Sequence, residues 1–88
     1  MNVSTYNYKT RGVCSREIHL EIDENNVIVG AAYVGGCSGN TQGVAALVKG
    51  MTVDEAISRL SGIRCGAKST SCPDQMAVAL TLIKENKL

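Results

Sequence analysis

The segment Arg16–Asp23, with the sequence REIHLEID, decides the fold because its apolar and polar side chains alternate strictly. Ile18, Leu20 and Ile22 fall on one side of an extended chain, and the charged and histidine residues between them fall on the other. This period of two is typical of a strand with one face buried and one face in water. We therefore predict a strand here, inside a sheet that is covered on one side only.

A turn cluster, Asp23–Asn26, follows this strand, and Val27–Val34 after it is rich in β-branched and small residues. The two segments predict an antiparallel hairpin. If its loop has two residues, the numbers of facing residues sum to 51, which places Cys14 opposite Cys37. A three-residue loop moves the partner to Gly36, beside Cys37. In both cases the hairpin is expected to bring the two cysteines together.

Further out, Ser4–Lys9 is predicted to add a third strand, and three helices are predicted after the hairpin. The first is capped by Asn40 and runs to Val48, and the second opens at the capping box Thr52–Glu55. The third has a proline just inside its start and covers about residues 73–86. The order βββααα predicts an α+β fold, a three-stranded antiparallel sheet with three helices packed on it.

Composition limits the class of protein. A chain of 88 residues is predicted to form one domain, residues 1–88, and 44% hydrophobic residues are enough for a core. The net charge of +1 without a basic run argues against nucleic-acid binding, and no apolar stretch is long enough for a membrane span. The polar N-terminus argues against a signal peptide, so we expect a cytoplasmic chain. We also expect its partner to be another protein. The oligomeric state is left open.

The chain has four cysteines, which in a reducing compartment indicate metal ligands or redox thiols rather than disulfides. Cys72 lies at the start of the last helix, where unpaired backbone N–H groups favour a thiolate. Cys65 opens a short loop that contains Lys68 and returns to Cys72, so it can reach the same place. Together with the hairpin pair Cys14 and Cys37, they predict one cluster of four thiolates. The alternative is that these cysteines are small buried hydrophobic residues.

Residues Thr70–Asp74 spell TSCPD, and the chain resembles the small stand-alone members of the TSCPD-domain family, with Cys14, Gly35–Asn40 and Cys65 as further landmarks. In that family the domain also occurs at the C-terminus of adenosylcobalamin-dependent ribonucleotide reductases. The resemblance implies a role in ribonucleotide reduction and DNA synthesis, with Cys65 and Cys72 as candidate electron-carrying thiols. The sequence has no radical or cobalamin motif, so we expect an accessory module and not a complete enzyme.

A second resemblance, in element order, is to the NifU-type scaffold proteins for iron–sulfur cluster assembly. The corresponding cysteines are Cys14, Cys37 and Cys72. Arg16 and Ser71 stand where those scaffolds have an acidic residue and a histidine, and Cys65 is additional. Losing exchangeable ligands and gaining a fourth thiolate favours a closed Zn²⁺ site. An iron–sulfur centre and a metal-free dithiol redox module remain the alternatives.

Overall fold

The computed structural model describes residues 2–36 and 38–88. Three strands form one antiparallel sheet in the order β1-β2-β3, and three helices follow. The strands are β1 (Val3–Lys9), β2 (Ser15–Asp23) and β3 (Ile28–Gly35). The helices are α1 (Ser38–Val48), α2 (Val53–Leu60) and α3 (Cys72–Lys84). The predicted α+β class and the order βββααα are confirmed. None of the helices described here is long and apolar enough to cross a membrane.

The turn between β2 and β3 is held by one side chain. The Asp23 carboxylate accepts hydrogen bonds from the backbone N–H of Asn25 and of Val27, both at 2.9 Å. Asn26 has a φ of 61°, a left-handed conformation that asparagine tolerates better than most residues. Aspartate and asparagine therefore form this turn because the first accepts backbone hydrogen bonds and the second tolerates a positive φ.

The register of the hairpin agrees with the two-residue loop over its central part. Facing residues sum to 51 there, as in the pair of Leu20 and Ala31. Irregularities shift the register by one residue at both ends of the ladder, so that Ser15 faces Gly35. The end of the hairpin near the cysteines therefore follows the register of the three-residue loop, which was the alternative predicted from the sequence.

The core lies between one face of the sheet and the helices. Ile18, Leu20 and Ile22 of β2 are buried, as the alternation predicts, whereas His19 and Glu21 on the other face are exposed. The buried apolar residues of the main cluster are Ile18, Leu20, Ile22, Ile28, Val48, Val53, Ala56, Met76, Ala79 and Leu80. The domain is thus a two-layer structure in which the second face of the sheet meets solvent.

Helix starts were predicted with mixed success. Thr52 caps α2, and its hydroxyl accepts a hydrogen bond from the backbone N–H of Glu55 at 3.2 Å. The prediction that Asn40 caps α1 is wrong, because α1 begins at Ser38 and Asn40 lies inside its first turn. The residue before α1 is Cys37, which lies outside the described residues.

The two edges of the sheet differ. The start of β3 is covered by the segment between α1 and α2: Gly50 donates to the Ile28 carbonyl at 2.8 Å, and Ile28 donates to the Met51 carbonyl at 2.9 Å. Val27 and Thr52 form an isolated bridge beside them. Helix α1 also contacts β3. On the opposite side, β1 pairs with β2 along one edge, and no described segment pairs with its outer edge.

Candidate functional site

Three of the four cysteines line a single pocket of about 370 Å³. Cys14 comes from the segment before β2, Cys65 from the loop between α2 and α3, and Cys72 from the first position of α3. The other residues that line the pocket are Val13, Asn40, Ile63, Arg64, Lys68, Ser71 and Pro73. Cysteines from three separate segments therefore line the same pocket.

Cys37, the fourth predicted member, lies outside the described residues. Its predecessor Gly36 has a φ of 87° and packs closely against Ser15, since a Cβ atom at Gly36 would lie 3.1 Å from the Ser15 nitrogen. Ser15 in turn follows Cys14 directly. The expected approach of Cys14 and Cys37 stays a prediction.

Thiolates suit Zn²⁺ and iron–sulfur centres, but ligands must also converge on one point. In the ranges 2–36 and 38–88, no three His, Cys, Asp or Glu side chains are grouped closely enough to hold a metal ion. The described thiols thus share a pocket without forming a coordination sphere among themselves. A metal site here requires Cys37, a shift of the loops that carry Cys14 and Cys65, or both.

Cys72 is held from both β2 and β3. Its side chain is buried, and its sulfur lies 3.2 Å from the hydroxyl oxygen of Ser15. The Tyr33 hydroxyl donates to the Cys72 carbonyl at 2.8 Å. Burial, and secondarily the negative charge that Cys72 can carry, raises the pKa of the Tyr33 phenol well above its usual value. Tyr33 therefore remains a protonated donor, and the start of α3 has a fixed position.

The loop that carries Cys65 folds back on itself, as expected from its small and polar residues. Cys65 donates its backbone N–H to the Thr70 carbonyl at 3.2 Å, and Lys68 donates to the Cys65 carbonyl at 3.0 Å. Arg64 and Lys68 line the pocket beside the thiols. The wall of the pocket therefore carries two cationic side chains.

Ser71 of the TSCPD segment closes this loop onto α3. Its hydroxyl accepts from the backbone N–H of Asp74 at 3.1 Å and donates to the Ile63 carbonyl at 2.6 Å. It is therefore the N-cap of α3 and at the same time a link between the two ends of the loop.

Asp74 and Thr70 fasten the same loop from the other side. One carboxylate oxygen of Asp74 accepts from the backbone N–H of Gly62 at 2.7 Å, and the other accepts from the Thr70 hydroxyl. Thr70, Ser71 and Asp74 thus position the loop, and the thiol of Cys72 takes no part in these hydrogen bonds.

Gln75, the next residue, was not singled out in the sequence. It is buried, and its side-chain oxygen accepts from the Tyr8 hydroxyl at 3.1 Å and from the Arg11 backbone N–H at 2.9 Å. Its side-chain nitrogen donates to the Thr70 hydroxyl at 3.1 Å. Because Gln75 is itself buried, its side-chain amide needs hydrogen-bond partners. The partners themselves are too far away in sequence to be inferred from it.

Alkylation under reducing conditions, followed by mass spectrometry, should label Cys14 and Cys65 faster than Cys72. The helix start predicted a thiolate at Cys72, but the burial of this side chain restricts access, whereas Cys14 and Cys65 are exposed. Substitution of Ser15 by alanine removes the polar neighbour of Cys72 and should leave the labelling of Cys65 unchanged. Faster labelling of Cys72 in the metal-free wild-type protein would show that the helix terminus outweighs burial.

The βββααα order and the TSCPD segment together define an α+β domain with a cysteine pocket at the start of its last helix. A family model, TSCPD domain, matches residues 3–84, and the chain belongs to this family. Searches of curated proteins and of solved structures found no significant match. The similarity to NifU-type scaffolds stays a prediction.

Proposed function

We propose that this TSCPD domain is a metal-binding accessory module whose four cysteines hold one Zn²⁺ ion, and that it serves ribonucleotide reduction. The ligands in this proposal are Cys14, Cys37, Cys65 and Cys72. The observation that carries it is the convergence of Cys14, Cys65 and Cys72 on one pocket from three separate segments. Buried structural cysteines would not need to share a solvent-accessible cavity, and two of these three are exposed.

The pocket can tighten around a metal without disturbing the core. Cys14 and Cys65 lie outside the strands and helices, whereas Cys72 is fixed by Ser15 and by the cap of α3. Movement of the two loops therefore brings thiols towards a stationary Cys72. Since the main apolar cluster is formed by other residues, we expect the sheet and helices to fold without metal and the pocket to become ordered with it.

A site closed by four thiolates has no free position for a substrate, so the ion would stabilise a surface and not catalyse a reaction. This agrees with an accessory role alongside another protein. The link to ribonucleotide reduction rests on the family resemblance. An iron–sulfur centre would use the same donors, so the identity of the metal has to be measured.

Elemental analysis of protein purified without chelators or added metal tests the proposal. We expect one zinc ion per chain, and at least about a tenfold loss of affinity on Cys72→Ser because a ligand is removed. Ser69→Ala, at an exposed position in the same loop, is the control and should bind as the wild type does. A reduced wild-type chain that neither contains zinc nor takes it up would contradict the proposal.

A dithiol redox module is the second candidate, favoured by the finding that Cys14, Cys65 and Cys72 are free and that the described donors form no metal cluster. In this case Cys65 and Cys72 form a disulfide and give up two electrons and two protons, which reduce a disulfide of a partner protein to two thiols. Peptide mapping after mild oxidation distinguishes the two candidates. A Cys65–Cys72 disulfide in a metal-free chain supports this role, and retention of zinc with four reduced thiols excludes it.

A further inference from the structure

The hydrogen-bond pattern of β1 fixes which of its residues face β2. In the β1–β2 register facing residues sum to 26, as in the pair of Tyr8 and Ile18. Thr10 and Arg16 continue this register, and the Thr10 N–H donates to the Arg16 carbonyl at 3.1 Å. Because hydrogen-bonded pairs alternate in an antiparallel ladder, the even-numbered residues of β1 direct their backbone groups towards β2.

The odd-numbered residues therefore direct their backbone N–H and C=O groups away from the sheet. These are Val3, Thr5, Asn7 and Lys9, and all four are exposed. No described segment pairs with this edge. Unpaired backbone groups on four alternate residues along one edge form a ready template for another strand.

Features that normally protect such an edge are scarce in β1. The strand VSTYNYK contains no proline and a single charged residue, Lys9, and no bulge interrupts its ladder with β2. The start of the opposite edge, in contrast, is covered by Gly50–Thr52. Proteins commonly blunt exposed edges with charges, proline or bulges, so this strand is suited to pairing.

We propose that β1 pairs in antiparallel fashion with β1 of a second copy of this chain, with the two-fold axis at Tyr6. This register places Val3 opposite Lys9 and Thr5 opposite Asn7 of the other copy. All outward-facing residues are then used, in about eight backbone hydrogen bonds. Registers shifted in either direction pair fewer of them.

Charge and apolar surface support the same arrangement. The two Lys9 side chains lie at opposite ends of the paired strands, so no like charges face each other. On the helix side of the sheet, Tyr6, Tyr8 and Ile83 are only half-buried within one copy. The axis brings the two Tyr6 residues together at a non-hydrogen-bonded position, where side chains of antiparallel strands are closest. Because the edge is complementary to itself in this register, a second copy is the partner that it fits.

The oligomeric state in solution tests the proposal. Light scattering after size-exclusion chromatography, with a reductant to prevent cross-linking through exposed Cys14 and Cys65, should give twice the chain mass of 9.3 kDa. Dilution should return the mass to that of one chain. A wild-type chain that is monomeric at every concentration overturns the proposal.

Substitutions that place charges of either sign on β1 test whether this strand forms the dimer interface. The double variant Thr5→Lys/Asn7→Lys places like charges opposite each other across the axis and should be monomeric, as should Thr5→Glu/Asn7→Glu. A mixture of the two should form a dimer again, which misfolded chains would not do. The control Val29→Lys/Ala32→Lys adds the same charge to exposed positions of β3 and should remain dimeric.

Two results of these experiments contradict β1 pairing. The first is a dimer that survives the lysine substitutions at Thr5 and Asn7, because the interface then lies elsewhere. The second is a monomer whose β1 amide groups become protected from hydrogen exchange only when an unrelated extended peptide is added. In that case the edge binds a different partner.

Discussion

Substitution of Leu80 by alanine is expected to lower the free energy of unfolding by about 3–5 kcal/mol. Leu80 is fully buried on α3 and belongs to the cluster between the helices and the sheet. Truncation removes apolar contacts and leaves a cavity that a small aliphatic core cannot fill by rearrangement. Urea denaturation monitored by circular dichroism measures the change, and the midpoint should fall while the slope stays constant.

Leu47 provides a matched control for this experiment. It is also a helical leucine, but 71% of it is exposed, so Leu47→Ala should change the stability by less than about 0.5 kcal/mol. Comparable losses in both variants would mean that α3 does not pack on the sheet as described.

Substitution of Asp74 by alanine is expected to cost about 2–4 kcal/mol and to loosen the cysteine pocket. The carboxylate accepts from the Gly62 N–H and from the Thr70 hydroxyl, and it lies in the first turn of α3. Loss of two charge-assisted hydrogen bonds and of a favourable helix-terminus charge accounts for this magnitude. Because Ile63, Cys65 and Lys68 of this loop line the same pocket as Cys72, a loosened loop should give reagents more access, and alkylation of Cys72 should become faster.

The matched control is Asp54→Ala. Asp54 also lies in the first turn of a helix, α2, but its partner is the exposed Lys84 at 2.6 Å. Exposed ion pairs contribute about 0.2–1 kcal/mol, so this variant should be little destabilised and should leave the Cys72 labelling rate unchanged. Equal effects of the two substitutions would show that Asp74 does not fasten the loop.

Local patterns in the sequence were sufficient for most of the fold. The alternation in Arg16–Asp23 predicted which side chains are buried, and the Asp23–Asn26 cluster predicted the hairpin and the register of its centre. These features depend on neighbouring residues and on a period of two, which a single sequence displays directly. The cap of α2 at Thr52 also depends only on residues close in sequence.

The remaining features depend on tertiary contacts. The burial of Cys72 follows from the contact of its sulfur with Ser15, 57 residues earlier in the chain. The role of Gln75 follows from Tyr8 and Arg11, which reach it across the domain. An argument from the helix terminus considers only neighbours in sequence, so it predicted a thiolate at Cys72 but not the burial of that side chain. The hairpin and loop patterns predicted that the cysteines come together, but not that the described thiols share a pocket without forming a metal cluster.

The covered start of β3 limits how far this protein can assemble. With Gly50–Thr52 and α1 beside β3, β1 is the edge left open for pairing along its full length among the described strands. Pairing through a two-fold axis uses the same surface in both copies and leaves neither with a second open edge of this kind. A pair formed as proposed through β1 has one continuous six-stranded sheet, and at both ends of that sheet the start of β3 is already covered by Gly50–Thr52, which hinders further strand addition there.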